Sequence, residues 1–309
     1  METWKFISKK LAAGQVVMLL YVLQSEGSSP GRQGFKMAVA ADGEIYGTIG
    51  GGIMEHKLVE KAKFMLAQDG RKVVLQQQYH DKEKVKDQSG MICSGSQLNV
   101  FIPLSTADEA NIDKILSSGK RSIKLSPGGL HTGDETANGL RYTTDADWVY
   151  TEPIDRQPVI HIIGGGHVAL ALSELMNYLG FYIKLYDDRP ELNTIAANSF
   201  ADEKHIINYE TIASAFDRAE HDYVVIMTVG YRTDKLVLQQ LIGKQFFYLG
   251  LLGSRHKIDT LFKELQEEGV GQQLLENVFS PIGLDIGSKT TREIAVSIAA
   301  EIIREKNKV

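Results

Sequence analysis

The chain of 309 residues has one cysteine, Cys93. No intramolecular disulfide can form, which excludes a disulfide-stapled fold and suits a reducing cytoplasm. Long apolar runs are missing as well. The longest, around Val16 to Leu23, has the length of a strand, short of the roughly 18 residues of a membrane helix. The start, Met1 to Gln15, reads as an amphipathic helix without the apolar core and cleavage site of a signal peptide. Positive charge is not in excess: the net charge is -5. A mildly acidic chain has no electrostatic footprint for duplex DNA or anionic lipid, so neither nucleic acid nor membrane is expected as a partner. There is no fixed-period repeat, no G-x-S-x-G, no Walker A motif and no H-E-x-x-H. The eight histidines show no tight ligand spacing, so a conventional zinc site is not expected.

What is present is an ordinary globular balance, 43% hydrophobic and 24% charged. At about 150 residues per domain, the length predicts two domains. Thr151 to Pro158, with two prolines and three charges, reads as the linker. The expected division is 1–152 and 158–309. The first part mixes strands (15–23, 36–41, 44–48, 72–78, 97–104) with helices (53–68 and about 105–118), a mixed α+β domain. Residues 126–148 are turn-rich and predict short antiparallel strands. The second part alternates strands (159–163, 182–186, 205–207, 223–229, 246–251) with helices (167–178, 191–200, 210–216, 233–242). Helices over 255–267 and 291–305 follow. This is the pattern of an α/β Rossmann-like parallel sheet with helices on both faces.

The 29 glycines cluster. Gly164-Gly165-Gly166-His167-Val168-Ala169 follows a predicted strand, fits G-x-G-x-x-A and opens a helix. Such a turn presents amides to a diphosphate at a helix N-terminus. Asp187 or Asp188 ends the next strand, where a ribose-binding acid belongs. A bound NAD(P) or other nucleotide and an empty or repurposed crevice are both compatible with this fingerprint. Ser254-Arg255 forms a second anion-friendly turn, or simply caps its helix. Gly50-Gly51-Gly52 again precedes a helix; its amides can face a phosphate, or Glu55 can cap them. Arg32, in the loop Gly27 to Gly34, is a further anion ligand or a surface residue. Glycine-rich turns in both halves suggest a ligand held between domains. Cys93 lies among Gly and Ser, so it reads as a loop thiol, a candidate nucleophile or soft-metal ligand. His167 is another candidate, or packs the first helical turn.

These motifs, in this order, resemble the XdhC/CoxI family, accessory proteins of molybdenum hydroxylases such as xanthine dehydrogenase. The resemblance rests on Gly27-Ser28-Ser29-Pro30, Gly34 to Met37, Gly47 to Gly52 with Glu55, and the Cys93 loop running into Val100-Phe101-Ile102. It continues through Gly164 to Ala169, Asp187-Asp188-Arg189-Pro190, Gly250 to Arg255 and Pro281 to Gly287. It implies a protein that binds the molybdenum cofactor, a pterin dithiolene carrying a phosphate or a nucleotide. It further implies that a cysteine desulfurase supplies the terminal sulfur, that an apo molybdenum hydroxylase receives the cofactor, and that the protein is a homodimer and not itself an enzyme. Cys93 would then meet the molybdenum. Two positions depart from the family pattern: Ser94 replaces the first glycine of the usual Cys-Gly-Gly, and Ile53 stands where many members have a second cysteine. An NAD(P)-dependent oxidoreductase and a regulatory nucleotide-binding module are the competing readings. Against the first, no hydride-transfer acid or base is evident.

Overall fold

The computed structural model describes residues 1–68, 72–79, 95–117, 121–154, 157–216 and 219–308. The chain divides into two compact units, Met1–Arg156 and Gln157–Val309.

Unit 1 begins with α1 (Glu2–Ala12), followed by β1 (Val17–Gly27), β2 (Lys36–Ala40), β3 (Ile45–Gly47) and α2 (Gly52–Ala67). Then come β4 (Val74–Tyr79), β5 (Gly95–Leu104) and α3 (Glu109–Leu116). The strands form one antiparallel sheet in the order β3-β2-β1-β5-β4. Successive side chains of a strand point to opposite faces, and β1 is apolar on both. Leu19, Tyr21 and Leu23 pack in one core with Trp4, Ile7 and Leu11 of α1 and Ile112 of α3. Met18, Leu20 and Val22 pack in another with Met54 and Leu58 of α2. Burial on both sides is why this stretch reads as a continuous apolar run. Four further strands, β6 (Ser122–Ser126), β7 (Gly129–Gly133), β8 (Gly139–Thr144) and β9 (Asp147–Pro153), make a second antiparallel sheet in the order β7-β6-β9-β8. Its Trp148 and Tyr150 complete the α1-side core.

Unit 2 contains β10 (Val159–Ile163), α4 (His167–Tyr178), β11 (Tyr182–Asp187), α5 (Asn193–Ala197) and β12 (Glu203–Ile206). These are followed by β13 (Tyr223–Ile226), α6 (Tyr231–Leu241), β14 (Tyr248–Leu251), α7 (Arg255–Glu267), α8 (Gln272–Glu276) and α9 (Thr291–Lys306). All five strands run parallel in the order β12-β11-β10-β13-β14. Leu172 of α4 and Ile298 of α9 bury one face, with Ile160 and Ile162 of β10. Leu238 of α6 and Leu261 of α7 bury the other, with Ile163. The order reverses between β10 and β13, the switch point outside which such sheets open a crevice.

Several elements differ from the sequence pattern, among them three in unit 2. Residues 209–216 form a 3-10 helix. The helix expected over 191–200 shrinks to five residues. Strand β13 stops at Ile226, where its partners Ile163 and Leu251 also end.

Candidate functional site

In unit 1 three separate motifs meet. The buried Ser29 hydroxyl donates to Gln97 Oε1 at 2.9 Å. Gln97 Nε2 in turn donates to the Ile49 carbonyl at 3.0 Å and to Asn99 Oδ1 at 2.7 Å. Backbone abuts backbone beside this cluster: a Cβ on Gly31 would lie 2.1 Å from the Ile49 oxygen, and one on Gly50 would lie 2.6 Å from the Gly31 nitrogen. Only glycine fits so close an approach. Asn99 Nδ2 is buried and has no hydrogen-bond partner among the described residues. A buried donor of that kind calls for an acceptor.

The triple-glycine turn is built on positive φ angles at Gly50, Gly51 and Gly52. Glu55, in the first turn of α2, reaches back into it. Its Oε2 accepts from the Thr48 hydroxyl at 2.6 Å, from Ile49 N at 2.9 Å and from Gly51 N at 3.0 Å. Gly50 N donates to the Thr48 hydroxyl at 3.1 Å. The amides of 49–51 are thus engaged by the protein's own groups, with Glu55 where an external anion would otherwise sit. Arg32 is exposed. Cys93 lies outside the described residues.

In unit 2 the turn after β10 is tight for a steric reason. Gly164 has φ +107, and a Cβ there would lie 2.3 Å from the Met227 carbonyl oxygen. At Gly166, the N-cap of α4, a Cβ would meet nothing within 4 Å, and no side chain caps the helix. His167 is exposed. Ser254 caps α7 by accepting from Lys257 N at 3.3 Å, and Arg255 is exposed. Asp187, at the end of β11, is fully buried. It accepts from Gly165 N at 2.6 Å and from three nitrogens of Arg189. Burial alone would raise its pKa. The Arg189 and Gly165 donors outweigh that effect and hold the carboxyl below its ordinary range.

Among the described residues no group of three or more His, Cys, Asp or Glu could hold a metal ion. Nor is any described helix long and apolar enough to cross a membrane.

The model of the XdhC and CoxI family matches residues 10–79, and the model of the XdhC Rossmann domain matches residues 160–302. The chain belongs to the XdhC and CoxI family. Within this family frame, it is 29% identical over 289 residues to a protein of Escherichia coli (strain K12) named "Uncharacterized protein YqeB", covering 93% of this chain and 43% of that protein. It is 30% identical over 161 residues to a Bacillus subtilis (strain 168) protein named as a probable xanthine dehydrogenase subunit, covering 52% and 47%. The chain therefore spans about half the length of the curated relatives it matches. Its fold is that of a crystal structure of a xanthine dehydrogenase from Bacillus halodurans, with TM-score 0.79 at 22% identity, over 100% of this chain and 96% of that one.

Two features of this XdhC/CoxI chain escape a sequence reading based on glycine motifs. Gln97 and Asn99 are polar at inward positions of β5, on the same face as the buried Phe101; the broken period-2 pattern is their signal. Arg189 stands two residues after the acid it clasps, inside a motif already matched to the family.

Proposed function

We propose that this chain is an accessory protein of a xanthine dehydrogenase-type molybdenum hydroxylase. It takes the molybdenum cofactor as cargo, holds it while a cysteine desulfurase supplies the terminal sulfur, and helps to insert it into the apo-enzyme. The observation that carries this reading is the convergence in unit 1. Motifs separated by some 70 residues of sequence are knit together by Ser29, Gln97, Ile49, Gly31 and Gly50. A fold that only needed a turn at each place would not require them to interlock. The cluster also leaves a buried donor, Asn99 Nδ2, for an acceptor atom.

The chemistry suits such cargo. The exposed Arg32 guanidinium offers a two-pronged, charge-assisted grip on a phosphate. Cys93, two residues before β5, supplies a soft thiolate donor for molybdenum. Glu55 fixes the turn in shape, so the phosphate is held by Arg32 rather than by the amides of 49–51.

The test is made in cells that depend on the recipient hydroxylase. Hydroxylase activity and polypeptide abundance are measured with the chain intact, deleted, or carrying Arg32→Ala. The reading expects activity to fall while the hydroxylase polypeptide remains at normal abundance. Unchanged activity on deletion rules it out.

A further inference from the structure

Rossmann folds read a ribose diol with an acid at the end of the second strand of the sheet. Asp187 stands at that place, at the end of β11. Its carboxylate is already full. Oδ2 accepts from Gly165 N at 2.6 Å and Arg189 Nη2 at 2.7 Å. Oδ1 accepts from Arg189 N at 2.9 Å and Arg189 Nε at 2.7 Å. An ionised carboxylate has about four lone-pair sites, and these four donors take them. The Asp187 side chain has 0% exposure, whereas that of Arg189 has 38%.

The α5 segment closes the same spot from above. A Cβ on Gly165 would lie 2.4 Å from Ile195 Cγ1 and 3.4 Å from Asp187 Oδ2, so Ile195 fills the space beside the carboxylate. The Thr194 hydroxyl donates to the Gly165 carbonyl and pins α5 there. A diol arriving at Asp187 would have to displace a bidentate guanidinium with two neutral hydroxyls. Charge-assisted paired bonds are roughly twice as strong as neutral ones, so the exchange is uphill.

We propose that Arg189, roofed with Ile195, is a specificity-determining block that answers Asp187 in place of a ribose diol and keeps NAD out of the unit 2 crevice. The fingerprint is thereby retained as an internal clasp. This inference is independent of the cargo reading above. It also disfavours an NAD-dependent oxidoreductase on this scaffold.

The probe is NAD, titrated calorimetrically into the full chain and its variants, with thermal melting in parallel. For the unsubstituted chain the expectation is no saturation up to about 1 mM NAD and no change in Tm. Arg189→Ala leaves an ionised, buried carboxylate without its partner, so its Tm should fall. NAD should then bind at least about tenfold more tightly than to the unsubstituted chain and recover part of that Tm. Arg189→Gln, which keeps one amide donor near the carboxylate, is the second variant if the first does not fold. Ile195→Ala added to either should strengthen the gain. Asp187→Asn combined with Arg189→Ala should abolish it. Saturable binding of NAD below about 1 mM by the unsubstituted chain overturns the proposal. Folded Arg189 variants that remain blind to NAD overturn it equally, as does tight binding that survives Asp187→Asn.

Discussion

Replacing Glu55 with Ala removes one carboxylate oxygen that accepts three hydrogen bonds, from Thr48 Oγ1, Ile49 N and Gly51 N. The two amides are part-buried, so water replaces the lost acceptor only in part. The exposed Thr48 hydroxyl is rehydrated; hydrogen bonds to a charged group contribute about 1.5–3 kcal/mol each, and at the lower end the two part-buried amides together give a loss of about 3 kcal/mol. For a unit of this size, about 2–4 °C per kcal/mol converts that loss to a fall in Tm of about 6–12 °C. Glu55→Gln retains a neutral acceptor and should lose about half as much. The assay is direct because the chain has 2 tryptophans. Trp4 and Trp148 are both buried in the α1-side core of unit 1, so tryptophan emission follows this unit's unfolding. A shift within about 0.5 kcal/mol, the range of neutral surface substitutions, would refute the internal-anion account. It would mean that the turn amides do not depend on Glu55.

Gly164→Ala combines a positive φ with a 2.3 Å clash against the Met227 carbonyl, and should cost about 3 kcal/mol or more; circular dichroism should show unit 2 melting earlier while tryptophan emission holds its midpoint. Lys10, which hydrogen-bonds Asp42 at 2.6 Å, leads the donors that hold that carboxyl down to about 2 from an ordinary 3.8, with Glu44 N and Gln15 Nε2 adding to it. A depressed carboxylate contributes stability that is full above its unfolded pKa and is lost as pH falls through the folded one. The urea midpoint of unit 1 should therefore contain a component that declines between about pH 4 and pH 2 and is smaller in Lys10→Met, where only the Glu44 amide and Gln15 still bond the carboxylate. A variant with the same acid slope would show that the clasp contributes nothing. Cys93→Ser should leave both melting transitions in place, since it keeps the shape of the side chain while removing the soft donor.

The parallel sheet is readable from β10, β13 and β14, whose residues are all buried, so that stretches such as Val159 to Ile163 are apolar on both faces. Element ends were less readable because neighbours and side chains set them. Met227 to Val229 is apolar enough to extend β13, yet the partner strands have ended. The helix expected to reach Phe200 stops at Ala197. Asn198 Oδ1 accepts from Phe200 N and Ala201 N, and its Nδ2 donates to Ser173. A side chain that bonds nearby backbone competes with the helix in this way. At the site, the capping role open to Glu55 could be named from its spacing, and its contacts have that form. Asp187 could be placed at the end of β11 from the 20-residue interval. Its occupant could not, because a bidentate clasp by Arg189 depends on how the chain turns after the strand. The Ser29–Gln97–Ile49 interlock is a long-range pairing with no local sequence mark beyond polar residues at inward positions of β5.

The most direct measurement of cargo is molybdenum and pterin per chain in protein purified from a cofactor-replete host, alongside the Cys93→Ser variant with its Trp emission midpoint on the same sample. Near-stoichiometric molybdenum and pterin are expected in the unsubstituted chain, and a large loss of molybdenum in the variant at an unchanged midpoint. Protein free of both, from a host whose hydroxylases are loaded, would contradict the cargo reading.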